Sequence, residues 1–327
     1  MVASAPFDQQ LNAGFGLDGS DSLDIGYLCK RLALMHQKRA LEMILHLPRR
    51  VVRELVGYMQ LAPLPLINRY GRSPATQPGG PVVSLTTYGR RAQTVYLAIE
   101  SIARGEARPS RLILWIDEID LFKNLPATIR RLQKRGLEVR LCENYGPHKK
   151  YYPYVESQDS FDLPLVTADD DILYPRYWLR KLVDANRKYP GTVNCYFAGT
   201  IEFDKRSGRM DVKWISCHST DPSSLYHPLG GAGVIYPPPY LMALKRAGTA
   251  FMSCCPTQDD VWHHVMALRA GLKVRQIVPL PPYFSFQSIP GTLGTALKGG
   301  GEDWQVAATY TESDIRLLRA DCGTATR

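Results

Sequence analysis

The sequence predicts an α/β protein: a mostly parallel sheet flanked by helices, with a helical N-terminal extension. Two observations carry this. Between residues 81 and 188, short apolar or β-branched runs alternate four times with helical patterns, the rhythm of a doubly wound sheet. Three carboxylates, Asp169-Asp170-Asp171, close the fourth run, at the strand edge where such sheets place ligands.

Taken in order, residues 1–22 are rich in Gly, Ala, Ser and Asp and read as a mobile start. Residues 23–62 read as a basic amphipathic helical segment. Leu28, Leu32 and Met35 recur at helical spacing, Leu41, Ile44 and Leu45 continue the stripe, and Pro48 interrupts it. Residues 63–80 are rich in Pro and Gly and read as a linker. Strands are expected over 81–89, 111–116, 137–142 and 163–168. Helices are expected over 91–104, 126–135 (opening at a proline) and 175–188. After residue 190 the rhythm loosens. A strand at 193–198, a turn at Asp204–Gly208 and a returning strand at 212–215 precede the glycine-rich stretch Gly230–Tyr236. A helix over 257–270 and a strand over 273–278 follow. Residues 298–327 read as a polar tail.

Composition narrows the class. The chain has 327 residues, 45% hydrophobic and 22% charged, an ordinary globular balance. No run of about 18 apolar residues is written, so no membrane-spanning helix is expected. The start has no basic segment leading into an apolar core, so no secretory signal is expected. Seven cysteines, an odd number without a C-x-x-C pair, fit a reduced, cytoplasmic protein. The net charge of +9 is concentrated: nine Lys/Arg face two acids between Tyr27 and Arg72. That segment either docks peripherally on the anionic inner face of the plasma membrane or packs as a helical pair on the rest of the chain or on a second copy. No nucleic-acid recognition motif accompanies the charge, and nucleic acid is not expected as a partner.

The carboxylates are the sharpest signal. In extended chain, Asp169 and Asp171 point the same way while Asp170 points elsewhere. Paired oxygen ligands suit Mn²⁺ or Mg²⁺, which take their remaining ligands from water and phosphates. The competing reading is a solvated acidic turn before the helix at Pro175. The His and Cys residues lack zinc-finger spacing, and no Walker loop is written.

TADDDILYPRYWLRKL (167–182), together with Gly146-Pro-His-Lys-Lys150, VVSLTTYGRR, GGAGVIYPP and QDDVWHHVMALRAG, resembles bacterial glycosyltransferases of the A-type (GT-A) Rossmann-like fold that build cell-surface polysaccharides. The resemblance spans residues 81 to about 285. It implies a nucleotide-sugar-binding part over 81–200 and an acceptor-binding part over 201–297. It implies a nucleotide-sugar donor, a saccharide or lipid-linked acceptor, and a metal held at Asp169 and Asp171. Thr86, Tyr88, Lys149, Lys150, Asp169 and Asp170 are the implied donor contacts. Asp260, or its neighbour Asp259, is the implied general base, although both equally suit a helix start. Gly231 and Trp262 are candidate acceptor contacts, with Trp214 and Tyr236 as further aromatic candidates. A sugar-phosphate nucleotidyltransferase shares such a sheet and acidic site but carries a Gly-rich basic loop after its first strand, where this chain has TTYGRR. A catalytically silent nucleotide-sugar-binding module is the third reading.

Overall fold

The computed structural model describes residues 57, 59–204, 206–214, 217–286 and 303–324. The start at 1–22, expected to be mobile, and nearly all of the segment at 23–62, expected to be a basic helical segment, lie outside the described residues. The α/β class is observed, and the predicted strands form one sheet.

Strands β1 (Val82–Thr86), β2 (Arg111–Ile116), β3 (Leu137–Leu141) and β4 (Leu165–Thr167) are mutually parallel in the order β3-β2-β1-β4. β1 pairs on one side with β2 (Val82 opposite Arg111) and on the other with β4 (Val82 opposite Leu165). The direction of strand addition therefore reverses between β1 and β4. A crevice opens at the carboxyl ends of strands beside such a reversal. Both faces of β1 are covered, as its apolar run requires. The short β5 (Ile172–Leu173) continues from the carboxylates and pairs with β10 (Ser285–Phe286).

Beyond β4 the sheet turns antiparallel. β8 (Tyr226–Tyr236) lies against β4, and β6 (Thr192–Phe203) against β8. β7 (Met210–Lys213) forms the predicted hairpin with β6, and β9 (Lys273–Gln276) adds parallel to it. The glycine-rich stretch is thus the second half of a strand. Gly233 has φ +104°, and a Cβ there would lie 2.6 Å from the Trp178 indole nitrogen. That indole donates to the Ala232 carbonyl at 2.7 Å. Glycine is the residue that lets β8 and the Trp178 ring pack this closely. The expected boundary at 200/201 falls inside β6 and marks no division of the fold.

Two other expectations need correction. Residues 63–80 are no free linker, because α1 (Leu64–Tyr70) docks on the domain. Its prolines read as breakers but sit at the helix start, where a missing N–H costs nothing. Leu64 is fully buried. The Asn68 amide donates to Glu100 (3.0 Å) on α2 (Val95–Ala103) and to the Thr128 carbonyl (3.1 Å) on α3 (Ala127–Gln133). The C-terminal tail likewise holds structure. After α4 (Tyr152–Ser157), α5 (Trp178–Lys188), α6 (Pro238–Ala247) and α7 (Asp259–Arg269) come α8 (Asp303–Thr309) and α9 (Glu312–Thr324). The Tyr310 hydroxyl meets His264 of α7 at 2.6 Å, and Arg269 pairs with Asp314 at 2.8 Å. Its few apolar anchors, chiefly Tyr310 and Leu318, are buried but too sparse to give a helical period in sequence. Among the described residues no helix is long and apolar enough to cross a membrane.

Candidate active site

A cavity of about 760 Å³ opens at the carboxyl ends of β1, β2 and β4. Predicted donor contacts Thr86, Tyr88, Lys149, Lys150, Asp169 and Asp170 all line it, and so does Asp171. They come from three separate stretches of chain, which the fold brings together.

The carboxylates are individually tethered. The Tyr174 hydroxyl accepts the Asp169 backbone N–H (2.8 Å) and donates to the Gly231 carbonyl (3.2 Å). This knits the acidic turn to β8. The Asp169 side chain pairs with Lys150 at 2.9 Å, and Asp171 pairs with Arg91 at 2.9 Å. Asp170 is buried. It accepts from the Thr87 hydroxyl at 2.7 Å and from the Arg91 guanidinium. Its oxygens therefore fasten the acidic turn to the end of β1. Residues 170–171 form a turn rather than extended chain, and Asp170 and Asp171 share the Arg91 guanidinium while Asp169 goes to Lys150, so the expected alternation is not what the chain adopts. Burial and the neighbouring Asp169 charge raise the Asp171 carboxyl above the usual range, with Arg91 opposing them.

Lys150 joins this wall to a second acidic group. Its ammonium, 15% exposed, lies 2.9 Å from Asp169 and 3.3 Å from Asp259 at the start of α7. Burial would depress its pKa, but Asp169, Asp259 and Asp260 outweigh it and hold the lysine charged. The Asp260 carboxylate accepts the Gly230 backbone N–H at 2.8 Å. Asp259 and Asp260 thus turn to Lys150 and β8, and the N-cap residue Gln258 makes no side-chain cap. The two acids are driven apart. Burial and the Asp259 charge push Asp260 up to about 8, against Lys150 and the Gly230 N–H. Asp259 falls below the ordinary range: burial would raise it, but Lys150, with His148 and His263, together outweigh that burial. Divergent neighbouring carboxyls are the pattern by which acid and base roles separate. Glycines make room for the cluster: a Cβ on Gly230 would lie 3.0 Å from Asp260 Oδ1, and one on Gly231 3.4 Å from Asp169 Oδ2.

Three residues here were not singled out as site residues in the sequence. Arg91 reads in sequence only as the first residue of the 91–104 helix, yet it is 11% exposed and clamps Asp170 and Asp171. Asp117 follows the apolar run of β2 directly, just as Asp169 follows β4, and that parallel was the available signal. It pairs with Lys149 at 2.7 Å, and its Oδ1 is buried without a hydrogen-bond partner. Tyr174 is fully buried behind the acidic turn. Tyr88 is half-exposed, its ring flanked by Arg91 (5.4 Å) and Lys149 (5.8 Å).

The aromatic acceptor candidates fare differently. Trp262 is 2% exposed and packs edge-on to Phe251, so it is a core residue with no face for a sugar. Tyr236 is buried in a stack with Tyr240 and His263. Trp214 keeps an exposed ring. His148 and His263 are buried structural residues. Burial pushes His148 down to about 4, where it stacks on Phe251 and bonds the Cys255 carbonyl; it pushes His263 down to about 3.

No set of three or more His, Cys, Asp or Glu among the described residues is placed to hold a metal alone. Asp169 and Asp171 offer two carboxylates on one cavity wall. That donor set fits Mg²⁺ or Mn²⁺, which accept one or two carboxylates and complete their shell with phosphate and water.

No family model matches this chain. No curated protein matches it either. Among solved structures it is similar to CMP:2-keto-3-deoxy-manno-octonic acid synthetase complexed with CTP, at a TM-score of 0.35 and 13% identity, over 60% of this chain and 88% of that one. So distant a similarity says nothing of reaction or substrate.

Proposed function

We propose that this protein is a metal-dependent glycosyltransferase. It moves a sugar from a nucleoside diphosphate sugar to a hydroxyl of a saccharide or lipid-linked acceptor, with inversion. The observation that carries the reading is the Lys150 bridge. It joins the strand-end carboxylates to the acidic start of α7.

Each residue has a task. Tyr88 offers a ring face at the cavity mouth for a nucleobase. Asp117 Oδ1, buried and unpartnered, accepts a base N–H. Lys149 and Lys150 present ammonium charges to the diphosphate. Asp169 and Asp171 would hold Mg²⁺ or Mn²⁺; when bound, the ion neutralises charge on the departing diphosphate. Asp170, Thr87 and Arg91 fix the acidic turn. Asp260 takes the proton of the acceptor hydroxyl. Its raised pKa makes it a far better proton acceptor than an ordinary carboxylate. Asp259 keeps its charge through Lys150.

Thermal denaturation with a series of nucleoside diphosphates, with and without Mn²⁺, tests this. A ligand at about 100 times its Kd stabilises by about 2.7 kcal/mol, a rise of roughly 5 °C in midpoint. The expected result is such a rise with one nucleoside diphosphate plus Mn²⁺, larger than with either alone. No shift with any nucleotide would overturn the reading.

A further inference from the structure

A second cavity, of about 290 Å³, lies between the C-terminal half of α5 and β9, and shares no lining residue with the carboxylate cleft. Arg275 forms its inner wall. The Arg275 side chain belongs to a residue only 8% exposed. Its guanidinium makes no ion pair among the described residues, and its Nε is buried without a hydrogen-bond partner. The guanidinium lies over the Tyr189 ring, 4.1 Å from the centroid. Stacking holds the plane of the group but leaves its in-plane donors unanswered. A buried, fixed cation lacking a counter-charge is costly to keep, and its fork geometry matches a phosphate.

The surroundings agree. Lys181 and Lys188 of α5 line the same cavity. The one carboxylate there, Asp184, is drawn aside to Arg180 (3.6 Å) and Arg187 (3.8 Å). Ala185, Ile277 and Val278 supply an apolar floor. The volume sits at the lower edge of ligand pockets, which run from about 300 Å³ upward. That suits a phosphate or a small phosphomonoester and is small for a nucleotide.

We propose that this cavity is a second binding site, separate from the carboxylate cleft, for a phosphate group borne free or by a small molecule. Arg275 grips two phosphate oxygens, and Lys181 and Lys188 close over the others. The proposal stands independently of the glycosyltransferase reading.

Calorimetric titration of the full chain with inorganic phosphate, and separately with a hexose phosphate, tests it, and variants that touch only this cavity separate it from the carboxylate cleft. The wild type is expected to bind both, the hexose phosphate at least as tightly. Lys181→Ala/Lys188→Ala, at two exposed positions, is expected to weaken phosphate about tenfold. Arg275→Met is expected to abolish binding, and Asp184→Asn to tighten it. A control, Lys134→Ala/Arg316→Ala, removes two exposed charges elsewhere and is expected to change nothing. Should Arg275→Met fail to fold, the double lysine variant decides. Absence of phosphate binding by the wild type, or equal affinity in the wild type and the double lysine variant, would overturn the proposal.

Discussion

Asp171→Ala is expected to lower sugar transfer by about a thousandfold or more, the scale of removing a principal electrostatic contact to a transition state, while the protein stays folded. The side chain lies on the cleft wall, 13% exposed, paired with Arg91. Its removal relieves repulsion against Asp169 and Asp170, and Arg91 keeps Asp170 as a partner. The two effects on stability oppose each other, so the change should stay within about 1 kcal/mol. Single-turnover rates beside urea titrations check both halves. Excess chelator should silence the wild type as thoroughly. Undiminished rates in the variant, or in chelator, would remove the metal and its carboxylates from the mechanism.

Asp260→Asn is expected to lose transfer by about 10² to 10⁴, the usual range for a removed general base, and yet to gain stability at alkaline pH. The sign follows from linkage. The folded-state pKa is raised to about 8, against an ordinary Asp near 4. The folded protein therefore holds a proton that the unfolded chain has released. That contribution is fully present below about pH 4 and is lost as pH rises through about 8. Asparagine cannot ionise and escapes the loss. The variant's melting point should exceed the wild type's by roughly 5 °C at pH 8.5, the gap closing as pH falls toward about 4. Asp259→Asn should do the reverse. Its carboxyl is depressed by Lys150, so its contribution is present above about pH 4 and is lost on acidification; at neutral pH the variant should melt lower. Wild-type transfer should itself rise with pH toward about 8, as the Asp260 proton leaves. If Asp259→Asn is the dead enzyme and Asp260→Asn retains its rate, the assignment of the base must be exchanged.

Much of this fold was legible because parallel strands buried on both faces write unbroken apolar runs, and 111–116 emerged with its expected bounds. The acidic cluster was legible because three adjacent carboxylates after such a run have few structural uses. What escaped was long-range. Nothing near Arg91 in sequence tells that it reaches Asp170 and Asp171, about 80 positions on. The strand role of Gly230–Tyr236 was hidden because β8 owes its glycines to Trp178, Asp260 and Asp169, neighbours that only the tertiary fold supplies. Trp262 misled for the opposite reason. An aromatic beside two acids reads as a binding face, but successive positions on a helix face different ways, and this one faces the core.

The most direct test of the central claim is the phosphorus product released on turnover, followed by ³¹P magnetic resonance with the full chain, Mn²⁺ and a panel of acceptors. A nucleoside diphosphate is expected, formed from a nucleoside diphosphate sugar only when an acceptor hydroxyl is present. Pyrophosphate, formed from a nucleoside triphosphate and a sugar phosphate, would contradict it.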